Sequence, residues 1–342
     1  MAEMNSNRIE WIDFAKGVVI ILVVLGHVIE YNSDLSKIIY VFHMPFFFIM
    51  AGFLLNLDKW GGVDNYKAFT TKLIKRLLIP YYLAEFLWYP IFIFKEYYFG
   101  HLSRIIFYSS PIESFLGIFI GKATLLPIGP LWFLPCLLLT EIIFIKLYNN
   151  LAKSSAEIFG AAIIFTSHVG LFFNWCGYMA WGINVALVSQ IFLFAGILIR
   201  RYNVVERLNL KFCLCLEIIF ILTLLLNKRI EMSGAIYGEP LLFYAGGIAG
   251  TLLVMKISAL INSGKIFSLI SDCGRQSIII LVLHLPIIEV VYNILVRKNF
   301  VVSTNLYNDP AVIFVVTVTS VLIPLIIAKR FGKLPVIKYF CA

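Results

Sequence analysis

The residues fall into about ten apolar blocks of roughly 17 to 23 residues, the length a helix rising about 1.5 Å per residue needs to cross hydrocarbon. They lie near residues 14–30, 38–57, 77–98, 130–148, 157–173, 180–199, 211–227, 238–261, 275–296 and 310–328. No water satisfies backbone N–H and C=O groups inside a bilayer, so blocks of this kind must be helices. Composition agrees: 61% of the 342 residues are hydrophobic and 14% are charged, with a mean hydropathy of +0.92. A soluble domain cannot hide that much apolar surface. The expected fold is all-α, a polytopic membrane bundle of about ten helices forming one domain over residues 1–342, with no appended soluble domain. Pro45, Pro90, Pro135, Pro286 and Pro324 fall inside blocks and are expected to mark kinks, whose freed backbone groups neighbouring helices satisfy.

A net charge of +9 raises the question of nucleic acid, and the placement of the charges answers it. Of the 28 Lys and Arg, eight lie in the odd-numbered connections: Lys37, Lys95, Arg104, Lys122, Lys228, Arg229, Arg297 and Lys298. The other twenty lie at the termini and in the even-numbered connections, including Lys59, Lys67, Lys72, Lys75, Arg76 and the tail Lys329, Arg330, Lys333, Lys338. By the positive-inside rule both termini are cytoplasmic, as an even number of spans also requires. A basic excess that follows sidedness does not call for a nucleic-acid partner.

The six cysteines form no C-x-x-C pair and sit in or beside the blocks, so they read as apolar fillers. The first block carries Asp13 and Lys16 at its start and leads directly into a second, which indicates a signal anchor in place of a cleaved leader. Between the third and fourth blocks, Pro111 to Leu126 is apolar enough to lie in the interface or re-enter the membrane.

Ionisable groups inside spans are costly unless paired or hydrated, which makes them the informative residues. The first block concentrates Asp13, Lys16, His27 and Glu30. Lys16 and His27 are eleven residues apart, about three turns plus 20°, so on a helix they share a face and stand about 16 Å apart along it. Asp13 lies within about 40° of that face. With the N-terminus inside, Lys16 is near the cytosol and His27 far toward the outer side. Histidine suits proton transfer near neutral pH, and Glu30 at i+3 is placed to orient it; the plainer reading makes Asp13 and Lys16 an interfacial pair and His27 a headgroup histidine. Gly26 allows close approach to the backbone. The second block opens Phe42-His43-Met44-Pro45-Phe46-Phe47-Phe48, and the short connection puts His43 at the depth of His27, either sharing its cavity or capping a kinked helix. His284 falls mid-span and takes either a functional role or a hydrogen bond to a neighbouring helix; Glu141 and Glu289 are weaker candidates. His101 and His168 read as structural. The basic run Lys72, Lys75, Arg76 ahead of the third block is a topology signal or a hold for phosphates. No metal-ligand spacing is present, and no G-x-S-x-G, Walker or dinucleotide-binding motif.

These residues resemble the acyltransferase-3 family of bacterial membrane acyltransferases. The resemblance rests on Lys16 and His27 bracketing ten residues and on the Phe42 to Phe48 block. It extends to Arg76 to Pro80, Leu131-Trp132-Phe133-Leu134 and Ser277 to His284, so that about a third of the chain is covered. Asp13 to Gly17 and Val24 to His27 look most like sugar O-acetylases of the fucose 4-O-acetylase group. Two positions depart: Ala51 stands where a small hydroxyl residue is frequent, and an Arg-x-x-Arg pattern appears only as Lys72, Lys75 and Arg76. The resemblance implies transfer of an acetyl group from cytosolic acetyl-CoA to a hydroxyl of a cell-surface glycan, such as O-antigen, capsule or exopolysaccharide, or its lipid-linked precursor. It further implies a bacterial inner membrane, with membrane lipids as surroundings. On this reading His27, with Glu30 and His43, carries the chemistry as general base or transient acyl carrier. Lys16, Lys72, Lys75 and Arg76 meet the donor; Asp13, Trp132 and His284 meet the acceptor; no metal takes part. The rival reading is a transporter of a glycan or small acid, which inverted halves would favour, and none are evident.

Overall fold

The structure, a computed structural model, describes residues 10–62, 64–99, 110–151, 154–261, 263–298 and 307–341, without the side chains of 95–99 and 176. His101, Arg104 and Lys153 lie outside the described residues, as do the side chains of Lys95 and Cys176. Helices come in the order α1 (Glu10–Val28), α2 (Asp34–Leu54), α3 (Leu57–Trp60) and α4 (Tyr66–Leu73). A π-helical turn, Ile74–Leu78, then runs into α5 (Ile79–Phe99), followed by α6 (Pro111–Ile120), α7 (Phe133–Asn150) and α8 (Ala156–Phe172). Next are α9 (Ile183–Val188), α10 (Gln190–Arg201), α11 (Val204–Arg207) and α12 (Leu210–Leu226). The last are α13 (Pro240–Leu260), α14 (Lys265–Arg275), α15 (Ser277–Arg297) and α16 (Pro310–Phe331). Among the described residues there is no strand, only an isolated bridge between Glu231 and Ile236.

The protein is an all-α, multi-pass membrane bundle. Among the described residues, eight helices are long and apolar enough to cross a bilayer, nine if one bent pair is a single span. Nine of the ten predicted blocks are each met by one helix and the sixth by two; the seventh, α12, has 17 residues and falls just short of a spanning length. Its surface argues for lipid all the same. Only Thr223 of α12 is buried, while Leu210, Phe212, Ile218 and Leu225 are exposed, an outward apolar face of the kind that hydrocarbon accommodates.

Local chemistry sets the helix ends. Ser33 Oγ accepts from the Ser36 N–H, 3.2 Å, at the start of α2. A Ser110–Glu113 capping box with Pro111 opens α6, and Gly121 at φ 70° closes it. At ten residues α6 is about 15 Å long, too short to span. Asp309 caps α16 ahead of Pro310.

Two expectations need correction. The sixth block, 180–199, is not one helix but two, α9 and α10, with a 51° bend between Val188 and Gln190. Side chains satisfy the carbonyls that the bend frees: Ser167 Oγ donates to Val188 O at 2.9 Å, and Gln190 Nε2 to Ala186 O at 3.0 Å. The first helix ends at Val28, so Glu30 is not part of the span.

The chain forms two compact units. One comprises Met1–His43, Asn203–Leu224 and Ala249–Ala342, the other Met44–Tyr202 and Leu225–Ile248. In the first, α1 is the central helix, packed on α14, α15 and α16. A Cβ at Gly17 would lie 1.8 Å from Ile270 O, and one at Gly274 1.8 Å from Asp13 O; only glycines let α1 and α14 approach so closely. In the second, α7 packs on α4, the π-helical turn, α9 and α10. Gly52 and Gly196 make an equivalent crossing there, a Cβ on either falling 1.9 Å from Leu193 O or Ile49 O.

Candidate active site

Helix α1 is regular from Glu10 to Val28, so Lys16 and His27 do share a face, about 16 Å apart along the axis. Both are half-buried. At the His27 end, the ring of His284 from α15 lies with its centroid 5.2 Å from that of His27, the planes at 42°. His284 is fully buried. Its Nδ1 lies 3.0 Å from both Ile280 O and Leu281 O, and its Nε2 has no hydrogen-bond partner.

His43 is buried as well. Its Nδ1 donates to Ile39 O at 2.9 Å, and its ring meets the edge of Tyr40, centroids 4.8 Å apart. Gly26 makes room for Tyr40, whose ring would stand 3.2 Å from a Cβ there. Tyr292 Oη donates to Val28 O at 2.8 Å, closing the end of α1.

Glu30 does not join this group. It is exposed, two residues beyond the last helical position, and α1 does not hold it one turn from His27. The imidazole of His284 occupies the neighbouring place that the sequence had suggested for a carboxylate. Among the described residues no three His, Cys, Asp or Glu are grouped to hold a metal ion.

At the other end of α1, Asp13 is buried and sits 3.7 Å from Lys16 Nζ and 3.3 Å from Arg275 Nε. Arg275 also reaches Asp272 at 3.3 Å, and Lys329 reaches Asp272 at 2.9 Å. Asp13 is thus tied into a chain of alternating charges joining α1, α14 and α16, which competes with its expected role toward an acceptor. Arg275 and Asp272 escaped the sequence reading, which took Lys329 only as part of the basic tail, although the short polar-apolar pattern of residues 265–275 is the signal for such a helix.

In the second unit, the expected donor residues gather at the π-helical turn, an irregularity frequent at functional positions. Arg76, in that turn, is ion-paired with the buried Glu141 of α7. Lys75 is exposed. Lys72 and Lys59 each stand 4.9 Å over the Trp60 ring. Trp132 is buried, its ring 6.0 Å from Tyr178 and 6.2 Å from Phe133. It offers an acceptor no open face.

Residues 9–329 match the Acyltransferase domain that defines the acyltransferase-3 family. The chain belongs to the acyltransferase-3 family. Two further similarities fit this membrane acyltransferase. It is 36% identical over 89 residues to nodulation protein NolL of Mesorhizobium japonicum, covering 22% of each chain. It is 42% identical over 59 residues to nodulation protein NolL of Sinorhizobium fredii, covering 14% of this acyltransferase and 16% of that protein. The acyltransferase therefore aligns with less than a quarter of the length of these relatives. No solved structure matches it.

Proposed function

We propose that this membrane acyltransferase moves an acetyl group from acetyl-CoA to a hydroxyl of a cell-surface glycan or its lipid-linked precursor. His27 serves as the general base or as the transient acyl carrier. The observation that carries the reading is His27 itself, a half-buried imidazole near the end of a membrane helix, beside a second imidazole, in a chain of this family. Imidazole gains and loses a proton near neutral pH at little cost, which removal of a hydroxyl proton requires.

Lys72, Lys75 and Arg76 supply three cations on consecutive turns, suited to the phosphates of coenzyme A. Lys16 is a fourth candidate, on the face of α1 that carries His27. Both termini are assigned to the cytoplasm from the distribution of Lys and Arg, which puts these cations on the side where acetyl-CoA is made.

The test is replacement of His27 by Ala in a producing strain, with glycan O-acetylation followed by NMR or mass spectrometry. Loss of the acetyl signal from a normally accumulating variant is expected. Undiminished acetylation would remove His27 from the chemistry.

A further inference from the structure

His43 and His284 are each fixed in one tautomer by their own helix. A carbonyl oxygen only accepts, so the proton of His43 is on Nδ1, given to Ile39, and that of His284 is on Nδ1, shared between Ile280 and Leu281. The Nε2 of His284 is therefore a bare lone pair. It is fully buried, and no donor among the described residues reaches it. A buried acceptor left in this state costs about 1–3 kcal/mol.

The ring beside it is His27, at 5.2 Å between centroids. Because each nitrogen stands roughly 1 Å off its ring centre, two rings at this separation turned nitrogen to nitrogen approach to about 3 Å, an ordinary hydrogen bond. The planes now stand at 42° and His284 Nε2 has no partner, so that alignment requires the His27 ring to turn.

We propose that His284 is a positioning residue whose Nε2 receives the hydrogen bond of the His27 imidazolium during transfer. This rests on His27 being the general base. His27 takes the proton of the acceptor hydroxyl as the oxygen's electron pair forms the new C–O bond at the acyl carbon. The C–S bond of the thioester then breaks, its electron pair leaving with sulfur. While His27 holds both protons, the N–H remote from the substrate donates to His284 Nε2. His27 afterwards returns the transferred proton to the departing thiolate.

The remote N–H is already present on neutral His27, but its bond to His284 strengthens as His27 becomes charged, so it lowers the barrier more than it tightens either substrate. A neutral partner suits this setting, where a second buried charge would add its own desolvation cost. His284 thus occupies the orienting place that a carboxylate holds in other histidine sites.

The experiment uses membranes of the producing strain carrying the full-length protein and their own glycan, titrated with acetyl-CoA, with thiol release as the rate. His284→Leu should lower kcat about 30-fold or more and leave KM for acetyl-CoA within about twofold. His284→Gln, whose carbonyl can accept, should recover at least about tenfold of that loss. If the Leu variant does not accumulate, His284→Asn, polar but too short to reach His27, takes its place. A wild-type kcat in the Leu or Asn variant, or a raised KM with kcat retained, would overturn the proposal. Wild-type turnover in a parallel His27→Ala variant would overturn the general-base reading itself, whereas an inactive His27→Ala beside a fully active His284→Leu would overturn only the role given to His284.

Discussion

Gly17 and Gly274 hold α1 and α14 at backbone contact: a methyl at either would stand 1.8 Å from a carbonyl oxygen of the opposite helix, Ile270 on one side and Asp13 on the other. Neither obstacle is a flexible side chain, so the helices would have to separate. Gly17→Ala and Gly274→Ala are each expected to destabilise the protein by about 1–3 kcal/mol, the range for overpacking. Gly160→Ala, where a Cβ meets nothing within 4 Å, should be neutral or mildly stabilising, because alanine favours the helix. Thermal unfolding of the three variants in one detergent checks the contrast.

Separating Arg76 from Glu141 leaves a buried carboxylate behind. Arg76→Met alone should cost about 1–3 kcal/mol, below the full cost of breaking a buried pair because the Arg76 side chain is 44% exposed. The double variant Arg76→Met/Glu141→Met should regain most of that stability and still bind acetyl-CoA more weakly. Melting curves together with an acetyl-CoA titration distinguish the fold's use of Arg76 from the donor's.

Lys75 is exposed and lies in the same irregular turn as Arg76. If it meets the donor's phosphates, Lys75→Ala should raise KM for acetyl-CoA about three- to tenfold at low salt and by less at high salt, with kcat little changed. Michaelis constants at two ionic strengths measure the effect, and a salt-independent KM equal to wild type would release Lys75 from this role.

Glu231, in the connection ahead of α13, has its carboxyl pKa raised by burial, opposed by a hydrogen bond from Ser233. Between the unfolded pKa and the raised folded one, the native state binds the extra proton. Stability therefore falls as pH rises through that window. Glu231→Gln keeps a polar group beside Ser233 and removes the titration, together with the 3.6 Å ion pair to Arg229, so its stability relative to wild type should be higher at neutral pH than in acid. Melting temperatures of both proteins across a pH series provide the test.

The bundle was legible because a span is a local property: each apolar block carries its own length signal and needs no knowledge of its neighbours. Elements whose signal is not local were missed. Helix α14 has 11 residues, too few to register as a span, and is held in place by glycines whose role appears only where two backbones touch. The bend after Val188 is marked only by Ser189 and Gln190, too short a polar interruption to end an apolar block. His27 and His284 each stood out as an imidazole in apolar surroundings, but their pairing depends on α1 meeting α15. Glu30 is a related case: its i+3 placement assumed that α1 continues past Val28, where it stops.

The bend between α9 and α10 bears on where this protein can move. Val188 O takes bonds from Ser167 at 2.9 Å and Tyr244 at 3.4 Å, and Gln190 Nε2 spans both Ala186 O and Thr140 O. Straightening the helix would break those bonds in a medium with no water to replace them. The bend is a corner braced on three sides, not a joint, and any opening that admits substrate in this unit must come from less securely tied segments.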